Sequence, residues 1–234
     1  MAKKAFDKTR KPRPSEFIRA IKDNNFSRAL ALLHRGVDIN CRDQTNGWTP
    51  LIWVCFQDDR YLARLLIAQG AKLDEKDNFG CTALMRAAYN GYTEIASYLI
   101  DAGASLNAQD NSGNTALIHA ISCGHTGAAL KLIESGAELE AADDKGKTAL
   151  IWAASKNAER IVQPLIESGA IVYKRDKSGS TALDYAAARG YKTIAQMLKK
   201  IIKEHEDEIL SRVASSATRR PLKIKPQPKI KGKI

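Results

Sequence analysis

Trp53, Arg86, His119, Trp152 and Tyr185 stand 33 residues apart along the chain. Side chains of these types bind rather than react. A large ring or guanidinium buries area against a partner while its polar edge fixes orientation, which is why Trp, Tyr and Arg dominate binding hot spots. Catalytic patterns are missing by comparison. No Gly-x-x-x-x-Gly-Lys-Ser/Thr phosphate loop and no Gly-x-Ser-x-Gly nucleophile turn occurs. His34, His119, His125 and His205 have no metal-binding spacing, and Cys41, Cys55, Cys81 and Cys123 include no Cys-x-x-Cys pair. The acidic cluster Glu204, Glu206, Asp207 and Glu208 reads as a solvated helix face. His119 taken alone reads as a hydrogen-bonded structural residue. From the sequence we expect no enzyme, no catalytic residues, no cofactor and no metal site, with the cysteines as free thiols in a reducing compartment.

The elements that carry these side chains repeat as units. A Gly-x-Thr-(Pro/Ala)-Leu pentad begins at Gly47, Gly80, Gly113, Gly146 and Gly179, and a Gly-Ala or Gly-Val pair closes units at Gly36, Gly70, Gly103, Gly136 and Gly169. A fixed period of this length means stacked units, none of which can bury its own apolar face. In one unit, Thr82 caps a short helix whose Leu84, Ala87 and Ala88 form a small apolar face. Gly91 ends it. Thr93 starts a second helix that turns Ile95, Ala96, Leu99 and Ile100 inward at helical spacing, and Gly103 supplies a positive-φ stop. The pattern predicts first helices over 15–22, 50–57, 83–90, 116–123, 149–156 and 182–189. It predicts second helices over 26–34, 60–68, 93–101, 126–134, 159–167 and 192–205. Pro164 falls inside one of the latter, where it removes a backbone bond and predicts a kink or a shortened helix.

The run Gly80-Cys81-Thr82-Ala83-Leu84, then Ala87-Ala88-Tyr89-Asn90-Gly91-Tyr92-Thr93-Glu94-Ile95, Tyr98-Leu99-Ile100, Asp101-Ala102-Gly103-Ala104 and Asn107-Ala108-Gln109-Asp110 resembles the ankyrin repeat. The resemblance covers about residues 15–200. It implies an all-α solenoid of helix-turn-helix units with short extended fingers: a cap unit 15–46, repeats 47–79, 80–112, 113–145 and 146–178, and a C-terminal cap 179–210. The cap unit keeps Phe17, Ile18, Ile21, Phe26, Leu30, Leu32 and Leu33 but lacks the pentad. The histidine usual after Thr-Pro-Leu is replaced throughout, by Ile52, Met85, Ile118, Ile151 and Asp184, so apolar packing is expected in place of a Thr–His hydrogen bond.

The resemblance also implies a function and a surface. Ankyrin arrays are binding scaffolds, and the residue after the replaced histidine faces their concave groove. That assigns Trp53, Arg86, His119, Trp152 and Tyr185 to the groove. Positions before the helix-ending turn add Phe56, Gln57, Tyr89, Asn90, Ser122, Lys156 and Arg189, and the finger tips add Trp48, Phe79, Asn114 and Lys147. The competing expectation is that Trp53 and Trp152 pack between neighbouring first helices. Asn40 and Asn107 occupy the finger position that asparagine hydroxylases modify in some members, though asparagine is common there without modification.

The net charge of +11 belongs to the ends. Residues 1–14 carry Lys3, Lys4, Lys8, Arg10, Lys11 and Arg13 against Asp7, a net of +5. Residues 211–234 carry Arg212, Arg219, Arg220 and five lysines with no acid, a net of +8, leaving 15–210 at −2. Both ends are expected to be disordered. The second holds Pro221, Pro226 and Pro228, which favour extended backbone. Three readings of it stand side by side: a solvated tail, a contact for nucleic acid, acidic lipid or acidic protein, and an import signal around Arg219-Arg220. No apolar run approaches the ~18 residues of a membrane span, and Met1-Ala2-Lys3-Lys4 has no apolar stretch behind it. The expected protein is an intracellular, cytoplasmic or nuclear scaffold or adaptor for a protein partner. One alternative is tail-driven binding to nucleic acid or anionic membrane with the array as passenger. The other is a bacterial effector acting on a host protein, which the Thr-Ala-Leu-Ile style of the repeats resembles.

Overall fold

Five threonines set where the helix pairs begin. Thr49, Thr82, Thr115, Thr148 and Thr181 each hold extended φ/ψ, and each accepts, through its hydroxyl, the backbone N–H three residues on. A cap of this kind is worth about 1 kcal/mol, and it fixes the register of the helix behind it. In the computed structural model, which describes residues 11–217, these caps open α3 (Pro50–Gln57), α5 (Ala83–Asn90), α7 (Ala116–Ser122), α9 (Ala149–Ser155) and α11 (Ala182–Ala188). Each is followed after a short turn by a partner: α4 (Arg60–Ala68), α6 (Thr93–Asp101), α8 (Thr126–Glu134), α10 (Glu159–Glu167) and α12 (Lys192–Ala217). In front stand α1 (Pro14–Lys22) and α2 (Phe26–His34). Arg13, at the N-cap of α1, gives no side-chain capping bond, and Pro14 at the first helical position does without a donor there.

The first helices pack on one another in a row (α1, α3, α5, α7, α9, α11), the second helices do the same (α4, α6, α8, α10, α12), and each pair also packs internally. The core is the seam between the rows. Leu84, Ala87, Ala88, Ile95, Ala96 and Leu99 are all at most 1% exposed, and their counterparts in other repeats follow them. Alanine lets the first helices approach closely, while leucine and isoleucine of the second helices fill the space behind. Ile52, Met85, Ile118 and Ile151 are buried to the same degree, so apolar packing does replace the histidine in four repeats. Asp184 departs from that. It accepts from both the N–H and the hydroxyl of Thr181 at 2.8 Å, closing a capping box in polar form.

Fingers connect the pairs and stack in register. Within each, the backbone N–H of an aspartate (Asp43, Asp77, Asp110, Asp143, Asp176) reaches the carbonyl just before the capping threonine. Between fingers, one backbone bond per step links Asn78 to Asn46, Asn111 to Phe79, Asp144 to Ser112 and Lys177 to Lys145. A second ladder runs through side chains: Asn40, Asp74, Asn107 and Glu140 accept the N–H of Lys72, Ser105, Glu138 and Ile171, each in the next repeat. Asn40 and Asn107 thus stitch neighbouring repeats together. The approach is tightest at Gly80, whose φ is +78° and where a Cβ would lie 2.7 Å from the N of Asn111.

Five element boundaries differ from expectation, α1 among them by starting at Pro14, while α10 keeps its expected bounds. Pro164 leaves α10 at nine residues, the length of α2, α4, α6 and α8, so the helix is not shortened. The proline lies one turn into the helix. The carbonyl it orphans belongs to exposed Arg160, where water can satisfy it. The helices α7, α9 and α11 each end one residue early. The last helix, expected to stop at 205 within a cap ending at 210, runs to Ala217, so residues 211–217 are helical where a disordered tail was expected. Ion pairs Lys200–Glu204 and Glu208–Arg212 at i, i+4 support that extension, and no proline intervenes before Pro221. The remainder of both basic tails, residues 1–10 and 218–234, lies outside the described residues. Among the described residues no helix is long and apolar enough to cross a membrane.

Candidate binding face

Each of the five periodic side chains is tied to the base of its own finger. Trp53 Nε1 donates to Asp43 Oδ2 (3.2 Å), Trp152 Nε1 to Asp143 Oδ2 (3.0 Å) and the Tyr185 hydroxyl to Asp176 Oδ2 (2.7 Å). Arg86 reaches Asp77 Oδ2 through Nε at 3.1 Å and through Nη2, and His119 Nε2 lies 2.9 Å from Asp110 Oδ2. Four chemically different side chains therefore meet one recurrent acceptor. In each case the other carboxylate oxygen accepts finger N–H groups, as Asp110 Oδ1 does from Ser112 (2.8 Å) and Asn114 (2.9 Å). The aspartate organises the finger with one oxygen and orients the half-buried periodic side chain with the other.

The electrostatics follow from this arrangement. Burial pushes Asp110 and Asp43 up, but the backbone N–H donors, with His119 in one case and Lys22 in the other, outweigh it and hold both carboxyls below the usual range. Asp176 goes further. Burial is overcome by the Ser178 and Tyr185 hydroxyls and two backbone N–H groups, and its carboxyl is lowered to about 2. His119 is pushed down by burial against the opposing pull of Asp110, which favours the neutral ring.

Cations from the same or a neighbouring repeat lie against the rings. Arg86 lies 5.0 Å over Trp48 and 5.8 Å over Phe79. Lys147 lies 4.2 Å from the Tyr185 ring and 5.2 Å from Trp152, Lys156 is 5.7 Å from Trp152, and Lys22 is 4.5 Å over Trp53. Tyr89 meets the His119 ring edge-on at 5.8 Å. Trp48, Cys81 and Lys147, each just before a capping threonine, thus sit against the periodic side chain of the following repeat (Arg86, His119 and Tyr185), which links neighbouring positions of the face.

The sixteen residues expected at a partner surface divide on exposure, with Gln57 and Ser122 half-buried. Phe56 (39%), Phe79 (59%) and Tyr89 (47%) are large, apolar and open to solvent, and Lys156 and Arg189 are exposed beside them. Trp53, Arg86, Asn90, His119, Lys147, Trp152 and Tyr185 are half-buried. Asn90 donates to the Arg86 carbonyl within α5, and Asn114 turns its amide back onto Asp110. Trp48 is the exception to a finger-tip position: it is buried, with its ring 4.5 Å from Trp53 and 4.9 Å from Phe56. Its place between two aromatic neighbours and beneath Arg86 makes it part of the floor.

Sequence reasoning passed over the aspartates. Asp77, Asp110, Asp143 and Asp176 are 33 apart, with Asp43 one residue out of phase because its finger is longer. That periodicity was the available signal, but acidic residues in turns ordinarily read as solvated. It also passed over a cluster formed across a repeat boundary: donor atoms of Cys81, Asp110 and His119 all lie within 4.8 Å of one another. Of the four free thiols, Cys41, Cys55 and Cys81 are buried and Cys123 is exposed. Burial raises Cys81 to about 11, which leaves it protonated and a poor nucleophile at neutral pH.

Comparison with known proteins agrees with this architecture. A family model described as ankyrin repeats (three copies) matches residues 17–110, 59–143 and 131–207. A stretch of 73 residues, 31% of the chain, is 37% identical to glycerophosphocholine phosphodiesterase gde1 of Schizosaccharomyces pombe. That stretch spans only 6% of the yeast protein's length.

Proposed function

The chain belongs to the ankyrin-repeat family, a family of general protein–protein interaction modules, and we propose that it is a non-enzymatic scaffold or adaptor that grips a protein partner along the face described above. One observation carries the reading: Phe56, Phe79 and Tyr89 stand exposed beside five periodic side chains already held in place by buried carboxylates. Holding the side chains before the partner arrives lowers the ordering cost of binding. The charged side chains of the face that reach solvent are cationic (Arg86, Lys147, Lys156, Arg189), while the aspartates lie beneath. The fitting partner surface therefore pairs apolar side chains with carboxylates. The unpaired cysteines suit a reducing, intracellular setting.

The half-buried tryptophans are poor probes, because truncating either also frees a buried aspartate. The better perturbation is Phe79→Ser with Tyr89→Ser in the full chain, since neither ring is part of the core. Capture from nuclease-treated lysate should retain one protein on the wild type and lose it, by about tenfold or more in affinity, on the double variant with unchanged helicity. The reading fails if capture is indifferent to the double variant and instead collapses between low salt and about 0.15 M salt, where exposed charges are screened. That outcome assigns binding to the basic tails and makes the array a passenger.

A further inference from the structure

We propose that Cys81, Asp110 and His119 form a binding site for a thiophilic divalent cation, Zn²⁺ foremost, at the boundary between the second and third pentad repeats. The three donor atoms, a sulfur, a carboxylate oxygen and an imidazole nitrogen, lie within 4.8 Å of one another. Zinc bonds of about 2.0–2.3 Å place tetrahedral ligand atoms roughly 3.3–3.8 Å apart. Reaching that spacing takes shifts of about 1 Å or less, with the His119–Asp110 pair opening from 2.9 Å as the metal replaces their hydrogen bond. Three protein ligands leave the fourth position to water.

The surroundings already orient the ligands. Asp110 has its Oδ1 fixed by the N–H groups of Ser112 and Asn114, which turns Oδ2 toward His119. His119 lies in the last turn of α7, with its backbone N–H on the Thr115 carbonyl at 3.0 Å. Cys81 immediately precedes the Thr82 cap and is 5% exposed. Asp110 is thus locked by its own supporting bonds, which is what a metal site requires of its ligands.

Charge balance fits a divalent ion. A thiolate and a carboxylate offset its two charges and the imidazole is neutral, so the filled site is neutral overall in a half-buried position. The thiol proton leaves to solvent on binding. Arg86 is the nearby cation, and its guanidinium is committed to Asp77. The chemistry is specific to this boundary. The pairs that occupy the positions of Cys81 and His119 elsewhere are Trp48 with Arg86, Asn114 with Trp152, and Lys147 with Tyr185, and none of them offers a ligand set.

Titration of the full chain, stripped of metal, with Co²⁺ tests the assignment, because thiolate–Co²⁺ charge transfer absorbs in the near ultraviolet and tetrahedral Co²⁺ gives intense visible bands. The expected result is one equivalent bound with both signatures, displaced by one equivalent of Zn²⁺. Cys81→Ser should abolish the charge-transfer band. His119→Gln, which keeps a hydrogen bond to Asp110, should weaken binding by more than the roughly 10–100-fold cost of losing an outer-shell partner. Cys123→Ser should change nothing, and helicity should be the same in all variants. The proposal is overturned if the wild type gives no thiolate band. It is equally overturned if the band survives Cys81→Ser and disappears with Cys123→Ser, or if His119→Gln binds as tightly as the wild type. His119→Gln keeps the test informative if Cys81→Ser fails to fold.

Discussion

Replacing Tyr185 by Phe removes one oxygen and leaves the ring in place. The lost group is the hydroxyl that donates to Asp176 Oδ2 at 2.7 Å. Asp176 is 8% exposed and its carboxyl sits at about 2, against an ordinary 3.8. At about 1.36 kcal/mol per unit, that depression is worth about 2 kcal/mol of folding stability at pH 7. The donors share it: the Ser178 and Tyr185 hydroxyls and the N–H groups of Ser178 and Ser180. Tyr185→Phe should therefore raise the carboxyl by roughly half to one unit and cost about 1 kcal/mol at pH 7. The folded-state pKa lies below the unfolded one, so the stabilisation is complete above about pH 4 and disappears as pH falls through about 2. The cost of the substitution should shrink over the same window. Urea unfolding of wild type, Tyr185→Phe, Asp176→Asn and the double variant, at pH 7 and near pH 2.5, measures it. Amide exchange of α11 would place the loss in the last repeat, since array stability is a sum of local terms. The expected coupling between the two sites at pH 7 is about 1 kcal/mol. A coupling within a few tenths of a kcal/mol of zero, or equal losses at both pH values, would show that the ring and not the hydroxyl matters, and would refute carboxylate anchoring of this face.

Two further outcomes follow from the backbone. Gly91 holds φ +76°, and a Cβ there would lie 2.4 Å from Nδ1 of His125 in the next repeat. Gly91→Ala should destabilise by more than the ~1 kcal/mol of the left-handed conformation alone, and His125→Ala should recover part of the loss in a thermal melt; absence of recovery would leave only the backbone cost. Pro164→Ala restores a donor for the Arg160 carbonyl inside a full-length α10, so urea unfolding should report a gain of about 1–2 kcal/mol, and a neutral result would mean that water already satisfies that carbonyl completely.

Local signals determined most of the fold. Capping threonines, positive-φ glycines and apolar positions at helical spacing act within one unit, and their 33-residue recurrence made the solenoid legible from Gly47 to Gly179 without any long-range information. The end of α12 was not legible, because serines and basic residues past 210 resemble a tail by composition, while the i, i+4 pairs that extend the helix form only once it exists. The same distinction separates the parts of the binding face. Sequence placed Trp53, Arg86, His119, Trp152 and Tyr185 in one stripe, because a fixed period puts equivalent residues on one side. Only tertiary structure decided that each is tethered to an aspartate nine or ten residues earlier and that Trp48 is floor rather than tip. It alone brought Cys81 to Asp110 and His119, because a finger folds back on its own helix and each repeat stacks on the next, so residues 29 and 38 positions apart in the chain meet within 4.8 Å.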